Sequence, residues 1–149
     1  KPVVTYRLEK DLLYTSPSEP PSRIGSVAVP FFRERPLPHV KGYSRVKFTL
    51  TADVKIIDSL WQDKYPAIVV KYMSEQDVWS GEGFSKYLQS EILHKDSTYR
   101  LEMVKEYPLS QQRENLFQVS LCSHGDDDYW EKEKRLLIRN AALKVEYAP

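Results

Sequence analysis

The chain has 149 residues, of which 41% are hydrophobic, 29% charged and 12% aromatic, and its 22 Lys and Arg against 21 Asp and Glu leave a formal net charge of +1. That length carries one domain with its own core, and the balance excludes a disordered chain, which has few aromatics and a large net charge. It also argues against a dedicated nucleic-acid binder, which carries a strong basic excess, and no apolar run reaches the roughly 18 residues that cross a membrane.

In chain order, the signals are those of strands. Val4, Tyr6 and Leu8 alternate with Thr5 and Arg7, which predicts a strand over 3–8. Residues 15–23 hold three prolines and three serines, and the first 42 residues hold seven of the ten prolines. Residues 1–42 therefore read as an extended, Pro-rich arm with one or two edge strands. Residues 45–56 are the clearest element. Val46, Phe48, Leu50, Ala52, Val54 and Ile56 share one face, with Arg45, Lys47, Thr49, Thr51, Asp53 and Lys55 on the other. Six matches at period two with no miss are a half-buried antiparallel strand.

Residues 66–73 are β-branched and nearly continuous, as in a strand buried on both faces and starting after a proline. Phe84, Tyr87, Leu88 and Ile92 fit helical spacing, with Ser80 or Gly83 at the start, so one short helix is expected there. Tyr99, Leu101 and Met103 alternate over 98–104, and Phe117, Val119 and Leu121 over 116–122. In 136–147 the apolar residues change phase, from even-numbered Leu136 and Ile138 to odd-numbered Leu143, Val145 and Tyr147. A one-residue slip turns a core face outwards, so a β-bulge is expected near Asn140-Ala141.

These elements predict an all-β chain: an antiparallel β-sandwich, jelly-roll-like, with the Pro-rich arm and at most one short helix. One domain over 1–149 is expected, with the main sandwich in 43–149. The chain starts at Lys1 rather than Met, and reads as a module of something longer. Cys122 is the only cysteine and neither Asn115 nor Asn140 opens a glycosylation sequon, which points to a reducing, intracellular setting.

Sites for known chemistries are sparse. Gly81-Glu82-Gly83 is only a fragment of a phosphate loop, and the Lys-Ser/Thr of a P-loop does not follow. His39, His94 and His124 have no zinc-ligand spacing, so no metal or other cofactor is expected. Cys122 with His94 or His124 could form a thiolate–histidine pair, but Cys122 ends an apolar strand pattern, where cysteine is a small buried hydrophobe. Asp126, Asp127 and Asp128, with Glu131 beyond, follow Gly125 and read as a solvated turn rather than a calcium loop. Ser16-Pro17 is a minimal proline-directed phosphorylation signal.

Binding features are more prominent. Trp61, Trp79 and Trp130 all fall outside the predicted strands, with Tyr65 and Tyr129 close by in sequence. Flat aromatic rings on loops make stacking and anchoring platforms. Charge is also uneven, with a net of +5 over residues 1–50 and −2 over each of 51–100 and 101–149. Arg33 and Arg35 lie in the basic third, which could meet an acidic partner. The run Ser97-Thr98-Tyr99-Arg100-Leu101-Glu102, then Leu116 to Leu121, then Ile138-Arg139-Asn140-Ala141-Ala142-Leu143 resembles the second half of jelly-roll carbohydrate-binding modules. The resemblance covers about a third of the chain and implies the fold; Arg139 stands where those modules carry an acidic residue.

The leading expectation is a non-catalytic β-sandwich module that binds another protein through Trp61, Trp79, Trp130, Tyr129, Tyr65, Arg33 and Arg35. A carbohydrate-binding module using the tryptophans is the alternative, and an enzyme with dispersed catalytic residues a further one. Nucleic-acid binding ranks last and would centre on Arg33, Arg35, Lys41, Arg45 and Lys47.

Overall fold

The computed structural model of the chain describes residues 2–15, 28–58, 60–61, 67–73, 77–83, 92–112, 114–122 and 135–149. Eleven strands are described: β1 (Val3–Arg7), β2 (Leu12–Thr15), β3 (Ala28–Leu37), β4 (Arg45–Ile56), β5 (Leu60–Trp61), β6 (Ala67–Met73), β7 (Asp77–Gly83), β8 (Ile92–Leu93), β9 (Thr98–Pro108), β10 (Asn115–Cys122) and β11 (Arg135–Ala148). All their pairings are antiparallel.

One sheet has the order β1-β11-β4-β9, with β2 also on β11; the other has the order β3-β10-β6-β7, and β5 pairs β8 separately. β1 pairs Ala142–Glu146 of β11 and β2 pairs Arg135–Ile138, so β1 and β2 are one interrupted edge strand lying along the same side of β11. Counted so, the two main sheets hold eight strands in the order of a jelly roll. The chain is all-β among its described residues, as its periodicity predicts.

The core lies between the two main sheets. In β4 the six residues assigned to one face are all buried, from Val46 to Ile56. Leu101, Met103 and Tyr107 of β9 and Leu136, Ile138, Ala141, Leu143, Val145 and Tyr147 of β11 complete that layer. Phe32 and Leu37 of β3 and Phe117 and Val119 of β10 face it from the other sheet. Phe117 stands 5.3 Å from Phe48 and 5.7 Å from Tyr6, ring to ring, and these contacts join the sheets. Each fully buried side chain of this size contributes about 1.5–3 kcal/mol.

The bulge in β11 falls where the phase change places it. Arg139 faces Asp53 and Ala142 faces Thr51, so Asn140 and Ala141 together oppose Ala52. Both Arg139 and Asn140 are exposed, and burial resumes on odd-numbered residues at Ala141. Asn140 takes φ of 53°, the left-handed region that an asparagine tolerates better than most residues.

One end of the sandwich is closed by two crossovers. In the β3–β4 connection Gly42, with φ of 87°, allows the turn that brings the Tyr43 N–H to the Val40 carbonyl. The Tyr147 hydroxyl donates to the Pro38 carbonyl at 2.9 Å, and burial, with Tyr6 beside it, pushes the phenol's pKa up. In the β9–β10 connection the buried Asn115 amide accepts from Ser110 N–H and donates to Ser110 O, both at 3.0 Å.

Among the described residues of 1–42, the interrupted β1–β2 strand and β3 each lie on a sheet edge. Two elements differ from expectation. Trp61 and Trp79, expected in loops, lie in β5 and β7, paired with Ile92 and Lys71. Ser80 and Gly83 belong to β7 and Ile92 to β8, so the start and end of the expected helix are extended; its middle lies outside the described residues. β7 was hidden because Ser80, Gly81 and Gly83 have low strand propensity, whereas an edge strand needs little of it once β6 supplies the ladder. The proline strap at 15–23 lies outside the described residues apart from Thr15, which ends β2.

Candidate functional site

Among the described residues, an open cleft of about 450 Å³ lies between the edges of the two sheets. Its lining is Arg7 to Leu12, from the break between β1 and β2, and Phe32, Arg33 and Arg35 of β3.

The β1–β2 break makes one wall. Val4, Tyr6 and Leu8 keep the even phase, then Glu9-Lys10-Asp11 interrupts it with charge, and Leu12 resumes pairing. The Leu8 N–H donates to the Ala141 carbonyl at 2.9 Å, which ties the break to the bulge of β11. The Arg139 Nε donates to Asp11 Oδ2 at 3.2 Å. The break in one strand and the bulge in its neighbour thus hold each other in register.

β3 makes the other wall, and its register against β10 shifts twice, between Phe117 and Val119 and between Val119 and Ser120. Phe117 faces Arg35 and Val119 faces Phe32, so Arg33 and Glu34 both answer to Gln118. Without the extra residue, Phe32 and Arg35 would point to opposite faces. With it, Phe32 is buried and Arg35 turns to the same inner side, its guanidinium carbon 4.5 Å from the centre of the Tyr6 ring. Arg35, Tyr6, Phe117 and Phe48 therefore form a continuous stack from solvent to core. An exposed cation over an aromatic face adds about 0.5–1 kcal/mol.

The cleft brings four cations together (Arg7, Lys10, Arg33 and Arg35) beside two carboxylates, Glu9 and Asp11. Asp11 is already held by Arg139. Leu8, Leu12 and Phe32 give the cleft an apolar floor.

A second polar cluster lies on the outer face of the β4 sheet. Asp53 accepts from Asn140 Nδ2 and from Arg100 Nη1, both at 3.0 Å. These hydrogen bonds, Asn140's first, hold the Asp53 carboxyl below its ordinary pKa against a small opposing desolvation. This cluster braces the bulge.

Of the residues expected to bind, the structure places Arg33 and Arg35 in the cleft. Trp61 and Trp79 have their backbones in β5 and β7, while Tyr65, Tyr129 and Trp130 lie outside the described residues, as do His124 and the Asp126–Asp128 run. The basic set proposed for nucleic acid is split. Arg45 pairs with Glu106 at 2.9 Å and Lys47 is exposed on the outer face, away from the Arg33 edge. His94 is exposed in the turn before β9, whereas Cys122 ends β10 in the opposite sheet. Arg7, Lys10 and Phe32 were not singled out by sequence. No local signal marks them, because only the pairing of β1 and β2 with β11 brings residues 7–12 alongside β3.

No protein-family model matches the chain, and no curated protein is similar to it in sequence. Solved structures are similar in fold. A structure of the infectious bursal disease virus Gx strain superposes with a TM-score of 0.61 at 8% identity, covering 99% of this chain and 32% of that one. The Gt strain gives 0.61 at 9% identity, covering 98% and 33%. The VP2 subviral particle of the same virus gives 0.56 at 10% identity, covering 97% and 32%. The chain spans about a third of the length of these virus proteins, and at such identity the likeness is one of fold: the chain is a β-sandwich of the kind they contain.

Proposed function

We propose that the chain is a non-catalytic β-sandwich module of a larger protein, and that it binds another protein through the cleft between β1–β2 and β3. The observation that carries this reading is the convergence of Arg7, Lys10, Arg33 and Arg35 over a floor of Leu8, Leu12 and Phe32. Mixed charge around an apolar centre is the composition of protein-binding surfaces, where arginine is enriched. The similarity to a protein found in a subviral particle, of which this chain matches a third, is in keeping with a module that works within an assembly.

Quantitative affinity capture with the full chain, set beside the double variant Arg7→Glu/Arg33→Glu, tests it. Both residues are exposed, so the variant keeps the fold. A defined set of proteins held by the chain and lost by the variant supports the reading. Identical sets from both would overturn it. A saturable change in tryptophan fluorescence with one sugar class, unaffected by the variant, would favour the carbohydrate-binding alternative.

A further inference from the structure

We infer that the partner segment this cleft receives is an extended, carboxylate-rich stretch of protein with interspersed apolar residues, held by side-chain charge rather than by strand addition. The inference rests on the protein-binding reading and specifies its chemistry.

Charge gives the first argument. Among the described residues, no carboxylate pairs with Arg7, Lys10 or Arg33, while Asp11 on the same rim is engaged by Arg139. Of the four cations Arg35 lies over Tyr6, and the other three face the cleft with only Glu9, among the described lining residues, to offset them. Arginine forks match carboxylates in a two-point geometry that a lysine lacks, and two of the three are arginines.

The strand edges give the second. An open edge ordinarily recruits a partner strand through its free N–H and C=O groups. Here β3 carries Pro30 and Pro36, which have no N–H, and its register against β10 shifts twice. The facing edge is broken into strands of five and four residues by the turn between them. Neither wall presents a regular ladder, so recognition falls to the side chains.

The third argument separates protein from nucleic acid. A phosphate backbone is uniformly negative and meets runs of cations. This rim interleaves Glu9 and Asp11 with its cations, and its floor is Phe32, Leu8 and Leu12. An acidic segment with apolar residues between its carboxylates fits both features.

The experiment is an NMR titration of the isotopically labelled chain with three probes of equal length: an alternating Glu/Leu peptide, its Gln/Leu counterpart and a single-stranded oligonucleotide. The expected result is saturable shifts confined to residues 7–12 and 32–35 with the Glu/Leu peptide. Binding should be about tenfold weaker with Gln/Leu, as loss of two or three rim ion pairs gives. Arg7→Glu/Arg33→Glu should abolish the shifts, Arg33→Gln should weaken them, and a Lys/Leu peptide should bind the charge-reversed variant. Equal binding of Glu/Leu and Gln/Leu would overturn the inference. So would tighter binding of the oligonucleotide at the same residues, or shifts running along β3 or β1 as a new strand ladder. If the capture experiment shows cleft-dependent partners while the acidic peptide moves nothing, this inference fails and the broader reading stands. If the peptide binds but capture is indifferent to the cleft, the broader reading fails.

Discussion

At the scale of single residues, buried polar groups carry unusual weight, and Asn115 is the clearest case. It is fully buried, and its side chain imitates a backbone partner for both the N–H and the carbonyl of Ser110. This lets the chain turn from β9 in one sheet to β10 in the other without abandoning buried backbone groups. Asn115→Ala removes both bonds at once. The expected cost is about 2–3 kcal/mol, read as a lower urea midpoint at unchanged slope. A midpoint within error of the parent would show that the crossover does not depend on this amide. Arg35 works differently. Its charge stays in solvent while its planar head covers Tyr6, so it both seals the edge of the core and contributes to the rim of the cleft.

At the scale of elements, the β11 bulge organises its surroundings. It re-phases the strand so that Leu136 and Ile138 before it, and Leu143, Val145 and Tyr147 after it, all face the core. It also receives Leu8 from the β1–β2 break and positions Asn140 to donate to Asp53. Asn140→Val should cost about 1–3 kcal/mol, because a β-branched residue resists φ of 53°. Asn140→Gly should cost less, since both variants lose the Asp53 bond and only valine adds backbone strain. The same pair tests the electrostatics. The folded pKa of Asp53 is depressed, so its contribution to stability is present above its unfolded pKa and is lost as pH falls through the lower folded value. In Asn140→Gly, a carbon-detected titration should find the Asp53 carboxyl moved up toward its ordinary range, and the acid loss of stability from this group reduced. An Asp53 midpoint identical in both proteins would show that the Asn140 amide does not set it.

At the scale of the whole molecule, the N-terminal residues are part of the sandwich. β1 and β2 cover one side of β11, and Tyr6, Leu8, Leu12 and Tyr14 pack on the core or belong to it. Removing residues 1–15 forfeits roughly 4–6 kcal/mol of burial, which is a large part of the 5–15 kcal/mol that holds a domain folded. The unfolding temperature should fall by about 10–20 °C, and light scattering should show self-association through the bared edge of β11. A truncated chain that stays monomeric with an unchanged transition would contradict this account.

The sequence by itself determined what depends on local alternation. The six-residue core face of β4, the strands β9 and β10, and the phase change that becomes the bulge were all legible, because side-chain direction in a strand repeats every two residues. The candidate site was legible only in Arg33 and Arg35. Their companions Arg7 and Lys10 sit more than twenty residues earlier, inside a short charged break with no motif of its own. Only the tertiary structure decided that this break lies beside β3, that a bulge at Arg33-Glu34 turns Arg35 to the inner side, and that Trp79 is in an edge strand. The physical reason is that strand pairing joins residues by register across the sheet, and register depends on every neighbouring strand at once rather than on the residues of one segment.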